Sequence, residues 1–452
     1  MRFVSVCLYL SLITIVLFPI KSVHAQQTLE DVIFDMIAEV SVENILEHIK
    51  TLEDAGGTRS RITFTPGKDS AAVYIKDVLD SFPGLTSVEY DTFYIPNAVA
   101  PYNTRPQVNV IATLEGTVHP DEYYVIGSHF DSTADRDGNA TWNSGHSWRT
   151  IEAPGANDNG SGVAALLEMA RIMSDPSFPF QPKRTIKFVA FGAEERLPAP
   201  VGVGNHFGSI HMAREARMRN DHIIGMVSVD MIGFNENYNY TAIVKVNNEM
   251  ASASVLLGAK YVEANRNFFT QLIMNSAPFA NGTYSDHQSF ADEGYPSILV
   301  IENAAPWNTN SYYRANPYYH KQSDVYQRVN LELVRRVTQL NIAALSSDVG
   351  TVTSIDEGRY NDQQVMAYQL HQNYPNPFNP TTSIRFELPQ TTEVRLEVFD
   401  LLGRQVGTLV NGLVEAGVHT RVFDAQDLQS GVYVYVLRAG GQQFSRKFTV
   451  VK

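Results

Sequence analysis

Three apolar segments of the sequence each lead into an acidic residue or a histidine. The first leads to His129 and Asp131, the second to Glu194 and Glu195, and the third to Asp230. Nearly continuous apolar segments of this kind predict strands that are buried on both faces of a parallel sheet. Because active crevices in such sheets lie beyond the carboxyl ends of the strands, we expect these five side chains to face one place.

Two loops could add further side chains to the same crevice. A loop rich in glycine and asparagine contains Asp158 and leads into a helix, and a loop before the last predicted helix contains Tyr319 and His320. Each loop also has an ordinary structural explanation, which is a helix N-cap for the first and a solvated turn for the second. The capping explanation accounts for the glycines and the serine of the first loop, but it accounts less well for an aspartate at the crevice.

Imidazole nitrogens and carboxylate oxygens are the ligands that zinc takes at about 2.0–2.2 Å. A pair of metal ions about 3.5–4 Å apart needs one bridging carboxylate and balanced ligands on either side, so five ligands suffice. His129 and Asp131 lie two residues apart on a strand and share a face, so that Asp131 can accept the second ring N–H of His129. Glu194 and Glu195 are adjacent, so that at a turn one can hold metal while the other meets a water molecule.

The five motifs, taken in chain order, resemble those of the co-catalytic zinc aminopeptidases of the M28 peptidase family. The resemblance extends over roughly residues 40–347. It is carried by His129-Phe-Asp131-Ser, Asn157-Asp158-Asn-Gly-Ser-Gly, Glu194-Glu195, Val229-Asp230-Met-Ile-Gly and Tyr319-His320.

The resemblance implies a role for each of these residues. It implies two zinc ions per chain, with a bridging Asp158 and these other ligands: His129 and Asp230 at one ion, Glu195 and His320 at the other. Glu194 would be the general base, Tyr319 would hydrogen-bond the oxyanion, and Asp131 would orient its histidine. The peptide bond between Asp158 and Asn159 would be cis.

Strands and helices alternate along most of the chain. Helical spacing is found over residues 42–52, 71–82, 161–173 and 331–345, and strand-like segments over residues 88–95, 108–114, 123–127, 185–191, 226–229 and 297–301. This alternation predicts an α/β fold, a three-layer sandwich around a mostly parallel, mixed β-sheet. The peptidase domain is expected to comprise residues 26–349.

The C-terminal part of the sequence has a different pattern. After a predicted linker over residues 350–372, the proline-rich segment that begins at Asn373 is followed by alternation with a period of two, punctuated by glycines. Residues 373–452 therefore predict a small all-β sandwich. They resemble the type A sorting domain of the type IX secretion system, in the segments 373–380, 398–404, 428–433 and 446–447. The alternative is a carbohydrate-binding or adhesion sandwich, which the scarcity of suitably placed aromatic residues disfavours.

The N-terminus predicts export. Arg2 precedes an apolar run over residues 4–20. In the segment Val23-His24-Ala25, the first and third residues have small side chains at the two positions that a signal peptidase reads. We expect residues 1–25 to be a cleaved signal peptide, and a membrane anchor is the alternative. Since Cys7 is the single cysteine of the 452-residue chain, the mature protein would contain no disulfide. A formal net charge of -13 argues against a nucleic-acid partner.

The sequence thus predicts a zinc aminopeptidase that is secreted or held on the outer cell surface after passage through the periplasm. Its partners would be peptide N-termini and, through residues 373–452, the type IX secretion machinery, with no stable membrane insertion. Three alternatives stay open: another zinc exopeptidase, a glutaminyl cyclase on the same scaffold, or an inactive surface-binding protein.

Some polar clusters are assigned less weight. Ser285-Asp286-His287 is expected to support or line the pocket, or to form a plain turn. His206 and His211 are interpreted as ordinary surface or core residues, and residues 135–151 as either a lid over the crevice or a solvated loop.

Overall fold

A computed structural model of the chain describes most of the sequence. The described residues are 28–137, 147–235, 241–246, 251–268, 270–278, 285–303, 307–309, 313–352, 368–371, 373 and 376–451. The predicted signal peptide lies outside them. The chain divides into two compact units, of which the first is Gln27–Tyr360 and the second contains Asn361–Lys452. Of the helices in the described ranges, none combines the length and apolar character needed to cross a membrane.

The first unit alternates helices and strands. Its described helices are α1 (Leu29–Ala38), α2 (Val42–Glu53), α3 (Pro66–Asp80), α4 (Gly162–Met173), α5 (Phe207–Arg219), α6 (Ala251–Asn267), α7 (His287–Asp292) and α8 (Leu331–Val349). Its described strands are β1 (Ser87–Phe93), β2 (Gln107–Leu114), β3 (His119–His129), β4 (Phe180–Pro182), β5 (Arg184–Phe191), β6 (His222–Val229), β7 (Thr241–Val246), β8 (Ile273–Pro278), β9 (Ser297–Ile301) and β10 (Gly350–Val352).

Eight of these strands form one mixed sheet in the order β1-β2-β5-β3-β6-β9-β7-β8. The four central strands β5, β3, β6 and β9 are parallel to one another, while β1, β2 and β7 join by antiparallel pairing. The carboxyl ends of β3, β5 and β6 therefore lie at the same edge of the sheet. Every strand that the sequence predicts for this unit is found in this sheet.

Helices cover both faces of the sheet. Val125 and Val189 pack with Met212 of α5 and Phe290 of α7 on one face. On the other face, Tyr124 directs its hydroxyl to Asp348 of α8. The result is the predicted three-layer sandwich around a mostly parallel, mixed sheet.

Side-chain caps fix where several helices begin. Thr28, Ser41, Thr65 and Asn330 each accept a backbone N–H of the first turn that follows, at the start of α1, α2, α3 and α8 respectively. These caps satisfy amide groups that a helix N-terminus otherwise leaves without a partner. By contrast, α5 lacks a capping side chain and begins after a residue with positive φ, His206 (φ 57°). Its weak apolar periodicity is why sequence patterning does not predict it.

The predicted linker, residues 350–372, begins and ends in regular structure. Gly350–Val352 pairs with Phe180–Pro182 in a separate two-stranded sheet. Gln369–Leu370 forms β11, which pairs with a strand of the second unit. Residues 353–367 lie outside the described part of the chain.

The second unit consists of β-strands in its described part. They are β11, β12 (Thr381–Leu388), β13 (Thr392–Phe399), β14 (Gln405–Val414), β15 (Gly417–Asp424), β16 (Gly431–Ala439) and β17 (Gln442–Val450). They form a three-stranded sheet, β11-β12-β15, and a four-stranded sheet, β14-β13-β16-β17. Ile384 and Phe386 of one sheet share a core with Leu396, Val398 and Phe448 of the other. The predicted small all-β sandwich is confirmed.

Candidate metal centre

The predicted ligands converge at the carboxyl edge of the sheet. His129 is the last residue of β3, Asp230 follows β6 directly, and Glu195 lies in the turn after β5. An irregular turn before α4, Ala156–Ser161, contributes Asp158, and a loop before α8 contributes His320. The side chains of all five are almost completely enclosed. The topology thus brings together residues that are up to 191 positions apart in the sequence, since the crevice runs along the ends of parallel strands.

Asp158 lies between two histidines. Its Oδ1 is 3.3 Å from Nε2 of His129, and its Oδ2 is 3.2 Å from Nε2 of His320. The His129 nitrogen is also 3.4 Å from Oδ1 of Asp230, and the His320 nitrogen is 3.5 Å from Oε1 of Glu195. Two triads, each with one imidazole and one terminal carboxylate, therefore share a single carboxylate.

The surroundings of two buried oxygens indicate whether this arrangement fits metal ions. Oδ1 of Asp230 and Oε1 of Glu195 have no hydrogen-bond partner among the described residues. A buried acceptor without a donor costs about 1–3 kcal/mol, and more when it is charged. Each oxygen faces the imidazole nitrogen of its own triad, so that one cation per triad would satisfy it. Two imidazoles and three carboxylates form a donor set that suits zinc, and the residues present fit a pair of such ions.

The electrostatics of the cluster favour positive charge. Burial lowers the pKa of His129, but the carboxylates of Glu194 and Asp230 outweigh it and hold that pKa well above the usual value. Burial likewise lowers the pKa of His320, and Glu195 leads the carboxylates that raise it well above its usual range. Carboxylates that stabilise protonated histidines in this way would also attract divalent cations. The histidine nitrogens would have to lose their protons before they could bind such a cation.

Asp131 positions the acidic turn after β5. Its carboxylate accepts the backbone N–H groups of Glu194 and Glu195 at 3.0 and 3.1 Å, and the Thr63 hydroxyl at 3.0 Å. The ring nitrogen Nδ1 of His129 lies closer to the carbonyl oxygen of Asp131, at 3.2 Å, than to its carboxylate, at 3.7 Å. The contact expected from sequence is thus made mainly by the main chain. The carboxylate connects the end of β3 to the two glutamates.

Asp135 is a partner that sequence reasoning missed. Its Oδ1 lies 2.8 Å from Nδ1 of His320, which leaves Nε2 of that ring directed at Asp158. A carboxylate behind a metal-ligating histidine fixes the ring orientation and tautomer. The two residues are 185 positions apart, so no local pattern connects them. The signal that could have found Asp135 is a carboxylate in the loop that follows the His129 strand.

The loop that carries Asp158 is held from behind. The carboxylate of Asp324 accepts the backbone N–H groups of Asn157 and Asp158, both at 3.0 Å. Gly155 has a φ of 52°, and a Cβ there would lie 2.4 Å from the carbonyl oxygen of Asp158, so no larger residue fits. The peptide bond between Asp158 and Asn159 is cis, as the resemblance implied.

A pocket of about 310 Å³ opens over the cluster. Tyr319 lines it beside Arg136, whose guanidinium lies 4.5 Å from the centre of the tyrosine ring. The Tyr319 hydroxyl makes no hydrogen bond to any described residue, and burial raises the pKa of that group above its usual value. It is therefore a protonated donor that faces a cavity next to the predicted metal ligands.

Comparisons with protein families decide the classification. Residues 109–345 match the model for peptidase family M28, which is more than half of the chain. The chain belongs to peptidase family M28. Residues 372–451 match the model for a secretion system C-terminal sorting domain, so both resemblances found in the sequence are confirmed.

Relatives of this M28 chain are distant. It is 25% identical over 306 residues to a probable zinc metalloprotease of Pyrenophora tritici-repentis, a match that covers 59% of this chain and 65% of the relative. The chain thus spans less than two thirds of that relative's length.

Solved structures support the fold of this M28 member. The LapA aminopeptidase of Legionella pneumophila matches with a TM-score of 0.54 and 21% identity, over 72% of this chain and 76% of that chain. A glutaminyl cyclase of Porphyromonas gingivalis matches with a TM-score of 0.52 and 22% identity, over 68% of this chain and 99% of that one. At such identities these similarities show a shared fold alone.

His206 is the second residue that sequence reasoning undervalued. It is buried, lines the pocket, and places Nε2 2.9 Å from Oε1 of Glu194. His211 instead contacts Asp91 of β1 at 3.1 Å. The interpretation as an ordinary surface or core residue fits His211, whereas His206 contacts the glutamate that the sequence predicts to be the base.

The remaining clusters lie in different surroundings. Asp286 is fully buried, and burial followed by the charge of Glu194 raises the pKa of its carboxyl to about 7. Of the segment 135–151, Asp135 and Arg136 line the pocket, whereas Trp148 is buried in a core cluster. Residues 138–146, on which the lid interpretation depends, lie outside the described part of the chain.

Proposed function

We propose that this protein is an exported aminopeptidase that uses two zinc ions to hydrolyse the N-terminal peptide bond of its substrates. The observation that carries the proposal is the carboxylate of Asp158, whose two oxygens each face a separate histidine-carboxylate pair. When bound, zinc ions at these positions lower the pKa of a water molecule and polarise the scissile carbonyl. His129 and Asp230 would hold one ion, and Glu195 and His320 the other.

Glu194 is the proposed general base. Its Oε2 lies 3.9 Å from Nε2 of His129, a little farther than the proposed ligands, and the side chain lines the pocket. From there the carboxylate can take a proton from the attacking water and later deliver it to the leaving amine. Asp131 supports this role, since it fixes the backbone at Glu194 and Glu195 with two hydrogen bonds.

Tyr319 supplies a donor for the developing oxyanion. Its hydroxyl is free of described partners, and its ring packs against the ring of His320, with centroids 3.8 Å apart. A donor held in place before the reaction stabilises charge that appears only in the transition state. The acidic crevice, with Glu194 and Asp135 on its walls, suits a substrate that carries a free ammonium group.

The metal count and the need for a free N-terminus are tested together. We expect about two zinc ions per chain by elemental analysis, and release of the first amino acid from unblocked peptides. N-acetylated copies of the same peptides should be cut at less than about one hundredth of that rate, because the acetyl group removes the cation that the crevice accommodates. The metal-depleted protein is the control, and zinc should restore its activity.

Each alternative has its own outcome in that experiment. Equal cleavage of blocked and free peptides would contradict the aminopeptidase assignment and leave the metal site standing. Cyclisation of N-terminal glutamine without release of an amino acid would favour a cyclase. One zinc ion per chain would argue against the bridging role of Asp158.

Residues 373–452 are proposed to direct export. A chain truncated before Tyr368 should cleave peptides at a rate within about twofold of the full chain, since the proposed ligands all belong to the first unit. It should accumulate in the periplasm, because the signal peptide would still carry it across the inner membrane. Cell fractionation with activity assays measures both, and a chain that lacks residues 1–25 serves as the control that stays in the cytoplasm. Normal release of the truncated chain would contradict the sorting role.

A further inference from the structure

His206 contacts the proposed base through one of the two carboxylate oxygens. Its Nε2 lies 2.9 Å from Oε1 of Glu194, while the other oxygen of that glutamate, Oε2, lies 3.9 Å from His129. The two oxygens of one carboxylate therefore have different neighbours. One is engaged by an imidazole, and the other faces the proposed metal site.

The main chain keeps the imidazole in place. The backbone N–H of His206 donates to the carbonyl oxygen of Glu194 at 2.7 Å, and the N–H of Phe207 donates to that of Ala193 at 2.9 Å. The start of α5 is thus bound to the turn that carries the glutamate. His206 itself has a φ of 57°, which is uncommon for a residue other than glycine. A side chain that is 11% exposed, on a backbone held by these two hydrogen bonds, has little freedom to leave.

The proton on this ring can be placed by elimination. An ionised carboxylate only accepts hydrogen bonds, so Nε2 of His206 must carry a proton to face Glu194 at this distance. The amide nitrogen of Asn205 is 3.1 Å from the same Nε2. If Nε2 accepted from Asn205, its lone pair would face a negatively charged oxygen. Charged groups that act on His206 from other elements are Asp286 and His129.

We propose that His206 is a positioning residue, which holds Glu194 by Oε1 so that Oε2 stays directed at the site where water is activated. The inference rests on the proposed function, in which Glu194 is the base. A glutamate side chain has several rotamers, and fixing one of them in advance removes an entropic cost from the reaction. His206 is proposed to act through Glu194, and it is not one of the five proposed metal ligands.

Variants of His206 test the inference. His206→Leu and His206→Met should lower kcat about 10- to 100-fold with KM within about threefold, because a misplaced base affects the chemical step more than binding. Zinc content should stay at the wild-type value. His206→Gln should recover most of the rate, since an amide N–H can replace the imidazole donor. The matched control is His211→Leu in α5, the helix that His206 precedes; it removes another histidine-carboxylate pair and should leave kcat unchanged.

A double variant separates positioning from a general structural effect. In a Glu194→Gln background, His206→Leu should cost less than about threefold in kcat, because the group on which it acts has already been removed. An additive loss, a loss of zinc or a wild-type rate in His206→Leu would each overturn the inference. If Glu194→Gln alone kept the full rate, the proposed role of Glu194 as the general base would be wrong. That result does not depend on the His206 variants.

Discussion

Replacement of Glu194 by glutamine is expected to lower kcat by about a thousandfold while the zinc content of the protein stays unchanged. Glutamine has the same shape as glutamate, but its neutral amide cannot take a proton from water. The side chain contacts His206 at 2.9 Å and lies 3.9 Å from Nε2 of His129, whereas the proposed ligands lie 3.2–3.5 Å from the imidazole nitrogens. Rate and metal content should therefore separate, which steady-state kinetics and elemental analysis on the same sample would show.

The neighbouring residue provides the matched control. Glu195→Gln removes a charged oxygen that faces His320, so this variant should lose zinc as well as rate. The Glu194→Gln and Glu195→Gln proteins would then both lose rate, but only the Glu195→Gln protein would lose zinc. Loss of zinc from the Glu194 variant with retention in the Glu195 variant would show that the two roles are exchanged. A wild-type rate in the Glu194 variant would exclude a base at this position.

The location of the site could be predicted because its chemistry coincides with strand ends. His129 ends β3 and Asp230 directly follows β6, and the parallel pairing of these two strands brings both residues to one edge. The period of the apolar residues reveals the strands, and the first polar residue after each strand marks the edge. The loop of Asp158 has an alternative explanation as a helix cap, so the sequence pattern made Asp158 a candidate, and only the resemblance implied its bridging role.

The sequence could not predict contacts between residues that no local pattern relates to each other. Asp135 meets His320 across 185 positions, and no periodicity relates the two. His206 precedes a helix in which few large apolar side chains are buried, so neither the helix nor the direction of the histidine is visible in the sequence. In both cases a buried donor-acceptor contact was decided by tertiary packing, which propensity does not encode.

The contacts of Arg61 could not be predicted from the sequence either. This residue connects three segments of the chain behind Asp158. Its side chain is fully buried and donates four hydrogen bonds. The acceptors are the carbonyl oxygens of Leu52 (3.0 Å), Phe130 (2.7 Å), Pro154 (2.6 Å) and Gly155 (2.8 Å). Burial lowers the pKa of the guanidinium to about 10, so that it stays charged at neutral pH. No sequence pattern distinguishes it from the many arginines that lie on protein surfaces.

Arg61→Leu is expected to destabilise the first unit by at least about 2 kcal/mol, since it leaves the buried carbonyl groups of Phe130 and Pro154 without a donor at roughly 1–3 kcal/mol each. The carbonyl groups of Gly155 and Leu52 keep the backbone N–H groups of Gly160 and Asp54 as donors. Urea unfolding followed by tryptophan fluorescence measures this, because all three tryptophans, Trp142, Trp148 and Trp307, belong to that unit.

The nearby Arg59 is the matched control for this effect. It lies at the surface, with its side chain 38% exposed, and it pairs with Glu53 and Glu152. Arg59→Leu should therefore cost less than Arg61→Leu, because its pair with Glu152 is exposed and Glu53 keeps the backbone N–H of Tyr326 as a donor. The free energy of unfolding of Arg61→Lys should fall between those of the two leucine variants, because one ammonium group cannot reach four carbonyls in three directions.

Zinc should bind more weakly to the Arg61→Leu protein, since the segment before Asp158 loses its anchor at Pro154 and Gly155. An unfolding free energy within 1 kcal/mol of the wild type would show that water replaces the guanidinium at these carbonyls, and that other contacts hold the bridging loop.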